Sequence, residues 1–356
     1  MTTRQEDLEG RYFQSFDTLR VICIISLILV SFGLPIPFFD YLRPYFSAAT
    51  GILFTLYGFL VLRDGADLRK NIKHTAKVFA ILFAVYGLIT MGYLWFSYGK
   101  PFMYFNKRGI FNFVVLNFWG ENICSTIWYV QSTLYALIIL WLLRGLKNLD
   151  WLFCLLLFTL AVVIGELAKV VNFSFLGNDY ISGNFLTRTI PYMLLGRLIY
   201  RFYDRLTQFG VVLPWGLIML GLVLSVIEHV TLFIYGKLGY TNHFIGFIPI
   251  AMGACLVAVM SRDRGNENNF AQCAKKMYKP MYYIFSPLFY ALITAALFFC
   301  RTLEQYYYCN LFAGLAVLVI TFGGCFLYAK LALLLEQRAA NKAEAQKRLE
   351  ELEDDE

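Results

Sequence analysis

The stretch FDTLRVICIISLILVSF, residues 16 to 32, decides the class of fold. After Arg20 the next charged residue in the chain is Asp40. A helix needs about 20 mostly apolar residues to cross the hydrocarbon core of a bilayer, so this stretch predicts a transmembrane helix. The residues before it mix acidic and basic side chains, and no small-residue cleavage pattern follows it. We therefore interpret it as a retained helix and not as a signal peptide.

The rest of the chain repeats this pattern. Hydrophobic residues make up 59% of the sequence and charged residues 15%, a composition that a water-soluble domain does not have. The sequence thus predicts an all-α fold, a polytopic integral membrane bundle of about ten transmembrane helices. The apolar runs lie roughly at residues 16–38, 41–62, 77–96, 124–143, 151–171, 185–203, 210–236, 243–260, 280–299 and 309–335.

The basic residues predict the orientation of these helices. Of the 31 Lys and Arg residues, 21 fall on one side of the predicted bundle and eight on the other, with Arg20 and Lys330 inside helices. Loops rich in Lys and Arg stay in the cytoplasm, so we expect a multi-pass protein of the cell membrane with both termini cytoplasmic. Because the positive charge is spread over short loops instead of forming a stripe, it does not indicate a nucleic-acid partner. Membrane lipid is the expected surrounding.

The predicted organisation has three parts. Residues 1–15 form a cytoplasmic N-terminal segment, residues 16–335 the transmembrane domain, and residues 336–356 a charged cytoplasmic tail. Strong helix formers and pairs at a spacing of four, such as Glu344 with Arg348, predict that the tail continues the last helix. A solvated helix and a partner-binding helix are both compatible with this pattern.

Ionisable groups inside a bilayer are costly and are therefore candidates for function. Glu166, Glu228 and His229 fall in the outer halves of two predicted helices, and Arg188 begins a third on the same side. They are predicted to meet in one polar cavity together with Ser31. A purely structural interpretation also stands: Arg188 and Glu166 satisfy each other or lie at the interface, and His229 is a packed, hydrogen-bonded side chain.

On the inner side, Asp17 and Arg20 lie one turn apart at the start of the first helix. They are expected either to form an internal salt bridge or to present the guanidinium to a phosphate, and the spacing does not decide between the two.

The eight cysteines show no metal-ligand spacing, and no metal site is expected. Most of them lie in apolar runs, where Cys acts as a small hydrophobic residue. Cys300 and Cys309 differ, because they flank one predicted outer loop, where an oxidising compartment permits a disulfide.

Five stretches together resemble the acyltransferase family 3 membrane proteins, which O-acylate cell-envelope carbohydrates and related acceptors. FDTLR at residues 16–20 is similar to the family's opening LDGLR, and FTLYGFL at 54–60 to its FVLSGFL. IWYV at 127–130 resembles LWFL, and Arg188 followed by MLLG at 193–196 resembles an Arg with FLLG. YIFSP at 283–287 resembles YLIHP. The resemblance covers residues 13 to 335, in the family's order.

The chain departs from the family at its histidines. The position at which the family carries its presumed catalytic base is Ser31, and the second histidine is replaced by Ser286. A serine hydroxyl does not take a proton near neutral pH as imidazole does. Either another group substitutes or catalysis is lost.

The resemblance implies transfer of an acyl group from a cytoplasmic donor such as acyl-CoA to a hydroxyl of an envelope glycan, with no permanently bound cofactor. The expected catalytic residues are Ser31, Glu166, Glu228 and His229, with a carboxylate or imidazole as the substitute base and Ser31 as a potential acyl carrier. The expected substrate-binding residues are Arg20, Trp128, Arg188 and Ser286, of which Arg188 or Trp128 would donate to the developing oxyanion. An inactive family member that transports or flips an acyl or glycan intermediate is the alternative. A lipid-linked glycan polymerase is a weaker one, because the chain lacks large outer loops.

Overall fold

The computed structural model describes residues 13–34, 39–63, 66–100, 102, 107–114, 125–163, 184–236, 245–261, 269–300 and 302–354. Every regular element in these residues is helical. The α-helices are α1 (Gln14–Phe32), α2 (Phe39–Phe46), α3 (Ala48–Val61), α4 (Leu68–Tyr98), α5 (Lys107–Val114), α6 (Ser125–Leu142), α7 (Asp150–Leu160), α8 (Ile190–Arg201), α9 (Tyr203–Thr207), α10 (Val212–Ile234), α11 (Phe247–Met260), α12 (Asn269–Phe299) and α13 (Leu303–Asp354). A 3₁₀ turn, Leu143–Leu149, and a π turn, Phe185–Thr189, precede α7 and α8.

The ends of the helices follow from local chemistry. Asp67 caps α4 by accepting a hydrogen bond from the amide of Lys70. Gly33 and Gly99 end α1 and α4 with φ angles of 72° and 65°, which only glycine adopts without cost. The side chain of Asn184 accepts the amides of Leu186 and Thr187, which fixes the start of the π turn before α8.

The described helices support a membrane protein, but the count of about ten crossings is not confirmed. Six segments are long and apolar enough to span: Gln14–Phe32, Tyr41–Val61, Leu68–Phe96, Ile127–Gly145, Val212–Ile234 and Phe312–Gln346. At 1.5 Å per residue, the 14 residues of α11 fall short of a core about 30 Å thick. The apolar helix that begins with α7 is described only as far as Val163. The predicted continuation of the last helix is confirmed through Asp354.

Two buried clusters form the core. The first joins α3, α8 and α11 with the start of α1 and the end of α6, and includes Phe54, Phe59 and Met193. The second joins α1, α4, α12 and α13 with the start of α6, and includes Ile24 and Met281. Since α1 and α6 contribute to both clusters, the two halves of the bundle meet along them.

Glycines allow α3 and α8 to approach closely. A Cβ added at Gly58 would lie 2.1 Å from the carbonyl oxygen of Met193, and one added at Gly196 would lie 2.1 Å from that of Thr55. These distances are far below a van der Waals contact, so the two backbones touch. Small residues at helix contacts are the usual means of close packing in a membrane.

Candidate functional site

A cavity of about 300 Å³ lies where the two core clusters meet. We call it the Arg20 cavity. Its walls come from α1, α3, α4, α6 and α12, and consist of Arg20, Ile24, Leu53, Tyr57, Asn71, His74, Thr75, Val78, Tyr129, Val130, Thr133, Tyr278, Lys279, Tyr282 and Tyr283. The polar members from α4 and α12 belong to the two loop regions whose basic residues predict a cytoplasmic location. The cavity thus lies at the predicted inner end of the bundle.

Arg20 is held in place from two sides. Its Nη1 donates to Oδ1 of Asp17 at 2.7 Å, and the Asp17 carboxylate is buried. Its guanidinium also lies over the ring of Tyr278, 5.0 Å from the ring centre. A guanidinium has five N–H donors, so pairing through Nη1 does not exhaust its capacity to bind a ligand. Both sequence interpretations of the Asp17 and Arg20 pair are therefore compatible in one structure: the salt bridge exists, and Arg20 lines a cavity.

Tyrosines supply much of the wall. The hydroxyl of Tyr57 lies 3.4 Å from Oγ1 of Thr75, which joins α3 to α4. The ring of Tyr129 stacks on Phe54 at 4.4 Å and lies 5.4 Å from Tyr282. Tyr86, just beyond the wall, donates to the carbonyl of Tyr283. These contacts fix the shape of an aromatic chamber with hydroxyl groups on its surface.

The Arg20 cavity is electrostatically suited to an anion. Arg20 and Lys279 are cationic, and no carboxylate is among the described residues that line the cavity, although Arg20 is paired with the Asp17 carboxylate behind the wall. Lys279 lies over the same Tyr278 ring as Arg20, with its Nζ 5.9 Å from the ring centre. Two cations converging on one aromatic ring place positive charge at one end of a largely apolar chamber.

Glu228 has a structural contact at the other end of the bundle. Its carboxylate oxygens accept the amides of Ile245 and Gly246 at 2.7 and 3.2 Å, immediately before α11. A carboxylate at a helix N-terminus satisfies amides that have no partner within the helix. Glu228 on α10 therefore caps α11, and sequence reasoning missed this because the two residues are 17 positions apart.

The other residues of the predicted outer cavity are partly brought together. The buried ring of His229 stacks on Tyr45 at 5.3 Å, and Arg188 lies over Trp128 at 5.3 Å. Tyr192 on α8 is within electrostatic range of both Arg188 and Glu228. A cavity of about 20 Å³ beside Tyr192, large enough for one water, is lined by Thr187, Ile245 and apolar neighbours.

Ser31 lies in neither of these two cavities. Its side chain is exposed. Its backbone carbonyl accepts a hydrogen bond of 2.9 Å from Nη2 of Arg43, and Nε of Arg43 donates to the carbonyl of Val30. Ser286 is fully buried on α12, next to Phe285, whose ring contacts Phe32. Neither Ser31 nor Ser286 is among the described residues that line these two cavities. Glu166 lies outside the described residues.

Sequence reasoning missed most of the Arg20 cavity. His74, Lys279 and the five tyrosines come from helices that are far apart in the chain, and none of them interrupts an apolar run in a way that marks a site. One signal was present: Tyr57 stands at the position of a serine in the resembling stretch 54–60. Among the described residues, no group of three His, Cys, Asp or Glu side chains is placed to hold a metal ion.

Comparison of the chain with family models, with curated proteins and with solved structures finds no match in any of the three.

Proposed function

We propose that this chain is a membrane-bound acyltransferase-like protein that takes an acyl group from a cytoplasmic donor and transfers it to a hydroxyl of a cell-envelope carbohydrate or a related acceptor. We further propose that it crosses the membrane about ten times with both termini in the cytoplasm. One observation carries the proposal. The Arg20 cavity is lined by residues from four of the five stretches that resemble acyltransferase family 3: Arg20, Tyr57, Tyr129 and Tyr283, with Val130 beside Tyr129.

The contacts between these stretches support the same conclusion. Phe16 packs against Phe59 at 5.5 Å, and Phe54 stacks on Tyr129. The stretches at 54–60 and 193–196 touch through Gly58 and Gly196. Segments that are scattered over the sequence thus form one contiguous unit around the cavity. Such a unit is what a shared ligand site requires.

The chemistry of the cavity fits an acyl donor that carries phosphate, such as acyl-CoA. Arg20 and Lys279 offer N–H donors and positive charge to phosphate oxygens. The tyrosine and aliphatic walls suit the apolar part of a donor, and about 300 Å³ is at the lower end of the usual range for ligand pockets.

In the proposed transfer, the acceptor oxygen attacks the thioester carbonyl while a base takes the hydroxyl proton. The bond between the carbonyl carbon and sulfur then breaks, and the thiol leaves with a proton. Ser31 lies 11 positions from Arg20 on α1, which is about 16 Å along a helix. The acyl end of the donor therefore has to reach outward along α1. There either the acceptor oxygen attacks the thioester directly, or Ser31 attacks first and releases the thiol, after which the acceptor oxygen displaces the Ser31 oxygen. Glu166, Glu228 or His229 would act as base.

Acyl transfer by the purified protein tests this proposal. The protein in lipid nanodiscs is given labelled acyl-CoA and an envelope glycan acceptor, and the labelled product is measured for the parent, Glu166→Gln, His229→Ala and Ser31→His. Activity in the parent that Glu166→Gln or His229→Ala abolishes supports a substitute base. Activity only in Ser31→His would end the claim that this chain itself transfers acyl groups.

A second candidate is a transporter or flippase for an acyl or glycan intermediate. It is favoured by the full burial of Ser286 and by the serine at position 31, since neither position offers an imidazole to a reaction centre. Movement of a labelled acyl lipid or lipid-linked glycan across proteoliposomes, without formation of an ester product, would support this candidate over the first.

A further inference from the structure

Cys300 and Cys309 lie next to each other where α12 passes into α13. The Sγ of Cys300 is 3.4 Å from the Sγ of Cys309, and the two thiols share a hydrogen bond. Cys300 follows the last residue of α12, and Cys309 lies in the second turn of α13. A disulfide requires an S–S distance of about 2.05 Å, so the two sulfur atoms have to approach each other by about 1.3 Å to bond.

The pair is also the most accessible among the described cysteines. Cys309 is exposed and Cys300 is partly exposed, whereas Cys23, Cys154, Cys255, Cys273 and Cys325 are buried. Buried thiols in apolar surroundings are inert toward thiol reagents and oxidants. Of the cysteines that the structure describes, Cys300 and Cys309 are therefore the ones that an oxidant in solution reaches most easily.

We propose that Cys300 and Cys309 form a disulfide that closes the loop between the last two helices on the outer face of the membrane. The reaction is exchange with a protein disulfide. One thiolate attacks the donor disulfide to give a mixed disulfide, and the second thiolate displaces the donor sulfur. The two cysteines lose two protons and two electrons, and the donor is reduced to two thiols. The proposal does not depend on acyl transfer.

The hydrogen bond that the Cys300 thiol donates to Cys309 raises the pKa of Cys300. Because the thiolate is the reacting species, the rate of exchange should rise with pH as this thiol ionises. The pairing itself rests on the distance and the exposure.

Closing this loop would fix the outer end of α12 relative to α13. Phe289, 11 positions before Cys300 on α12, stacks on Phe32 of α1 at 3.8 Å, next to Ser31. The bond would therefore add a covalent link between two helices that both pack against α1.

Differential alkylation of the full-length protein tests the proposal. Cells are lysed into denaturant with a light maleimide, the protein is reduced, and a heavy maleimide is added before mass spectrometry. The peptides that contain Cys300 and Cys309 should carry only the heavy label. In the Cys300→Ser variant, Cys309 has no partner and should carry the light label. In the matched control Cys273→Ser, which removes a buried cysteine of α12, Cys309 should still carry the heavy label.

Two results would overturn the proposal: light label on both cysteines in the parent, or a disulfide-linked dimer on a non-reducing gel that Cys309→Ser removes. The double variant Cys300→Ser/Cys309→Ser, compared with the parent by size-exclusion profile, shows whether the fold survives without the thiols. If it does, loss of the heavy label in the single variants reports the bond and not unfolding.

Discussion

At the scale of the residue, Arg20 combines two functions that usually compete. Its Nη1 neutralises the buried carboxylate of Asp17, and the rest of its guanidinium faces a cavity. Removing one partner of a buried ion pair costs about 3–5 kcal/mol, because the other charge is left uncompensated. A variant that tests ligand binding must therefore remove both charges.

We predict that Asp17→Asn/Arg20→Gln binds acyl-CoA about 10- to 100-fold more weakly than the parent, since a hydrogen bond to a charged group contributes about 1.5–3 kcal/mol. Titration calorimetry in detergent measures the affinity. Lys73→Gln is the matched control, because Lys73 is an exposed cation beside His74 that does not line the cavity. If the double variant and the control bind acyl-CoA with equal affinity, Arg20 is not part of the donor site.

At the scale of the element, the contact between α3 and α8 depends on the absence of two side chains. Gly58 and Gly196 each place a hydrogen where any other residue would place a carbon inside the facing backbone. Both glycines lie in stretches that resemble the family. The close packing of α3 on α8 is by itself a physical reason for glycine at these two positions. Gly92 on α4 is different, because a Cβ there meets nothing within 4 Å.

Gly58→Ala and Gly196→Ala should each lower the midpoint of thermal unfolding in detergent, because overpacking of this kind typically costs about 1–3 kcal/mol. Gly92→Ala should leave the midpoint unchanged or raise it, since alanine favours a helix by about 1 kcal/mol over glycine. Differential scanning fluorimetry distinguishes the three variants. A midpoint for Gly58→Ala that equals that of Gly92→Ala would contradict the close approach of the two helices.

The sequence predicts helices better than it predicts their contacts. The apolar run predicted at residues 16–38 yields α1, because the length of a span is a local property, but the helix ends at Phe32, six residues before the predicted end. The approach of α3 to α8 and the convergence of Arg20, Tyr129 and Tyr283 depend on how each helix is rotated and paired. A single sequence does not encode those relations locally. Glu228 illustrates the difference. Its charge within an apolar run is visible in the sequence, but its role as a cap for α11 depends on the position of the neighbouring helix.

At the scale of the whole molecule, the two ends of the bundle differ chemically. The end that contains Arg20, His74 and Lys279 carries the Arg20 cavity, whereas the opposite end carries the thiol pair and the cap at Glu228. The positive-inside rule predicts that the first end faces the cytoplasm. A phosphate-bearing donor and an oxidant would then reach opposite ends of the same protein.

We expect a cysteine introduced at Lys73 to be labelled by an impermeant maleimide only after cells are opened, and one at Lys107 to be labelled in intact cells. Both positions are exposed, and both are tested in the Cys300→Ser/Cys309→Ser background to remove the reactive pair. Position 107 shows that the reagent reaches the outer surface. Labelling at position 73 in intact cells would reverse the proposed orientation.

The length of α13 has a consequence for what can approach the end of the bundle that is predicted to be cytoplasmic. Its last 19 residues, 336–354, extend about 28 Å at 1.5 Å per residue. Glu336 pairs with Lys276 on α12, one turn before Tyr278 and Lys279, so this rod leaves the bundle beside the mouth of the Arg20 cavity. A small donor that diffuses freely can pass beside this helix. If the Arg20 cavity takes the proposed donor, we expect a donor tethered to a folded carrier domain to collide with α13 on that flank. Bulk would then exclude such a donor before any group in the cavity contacts it.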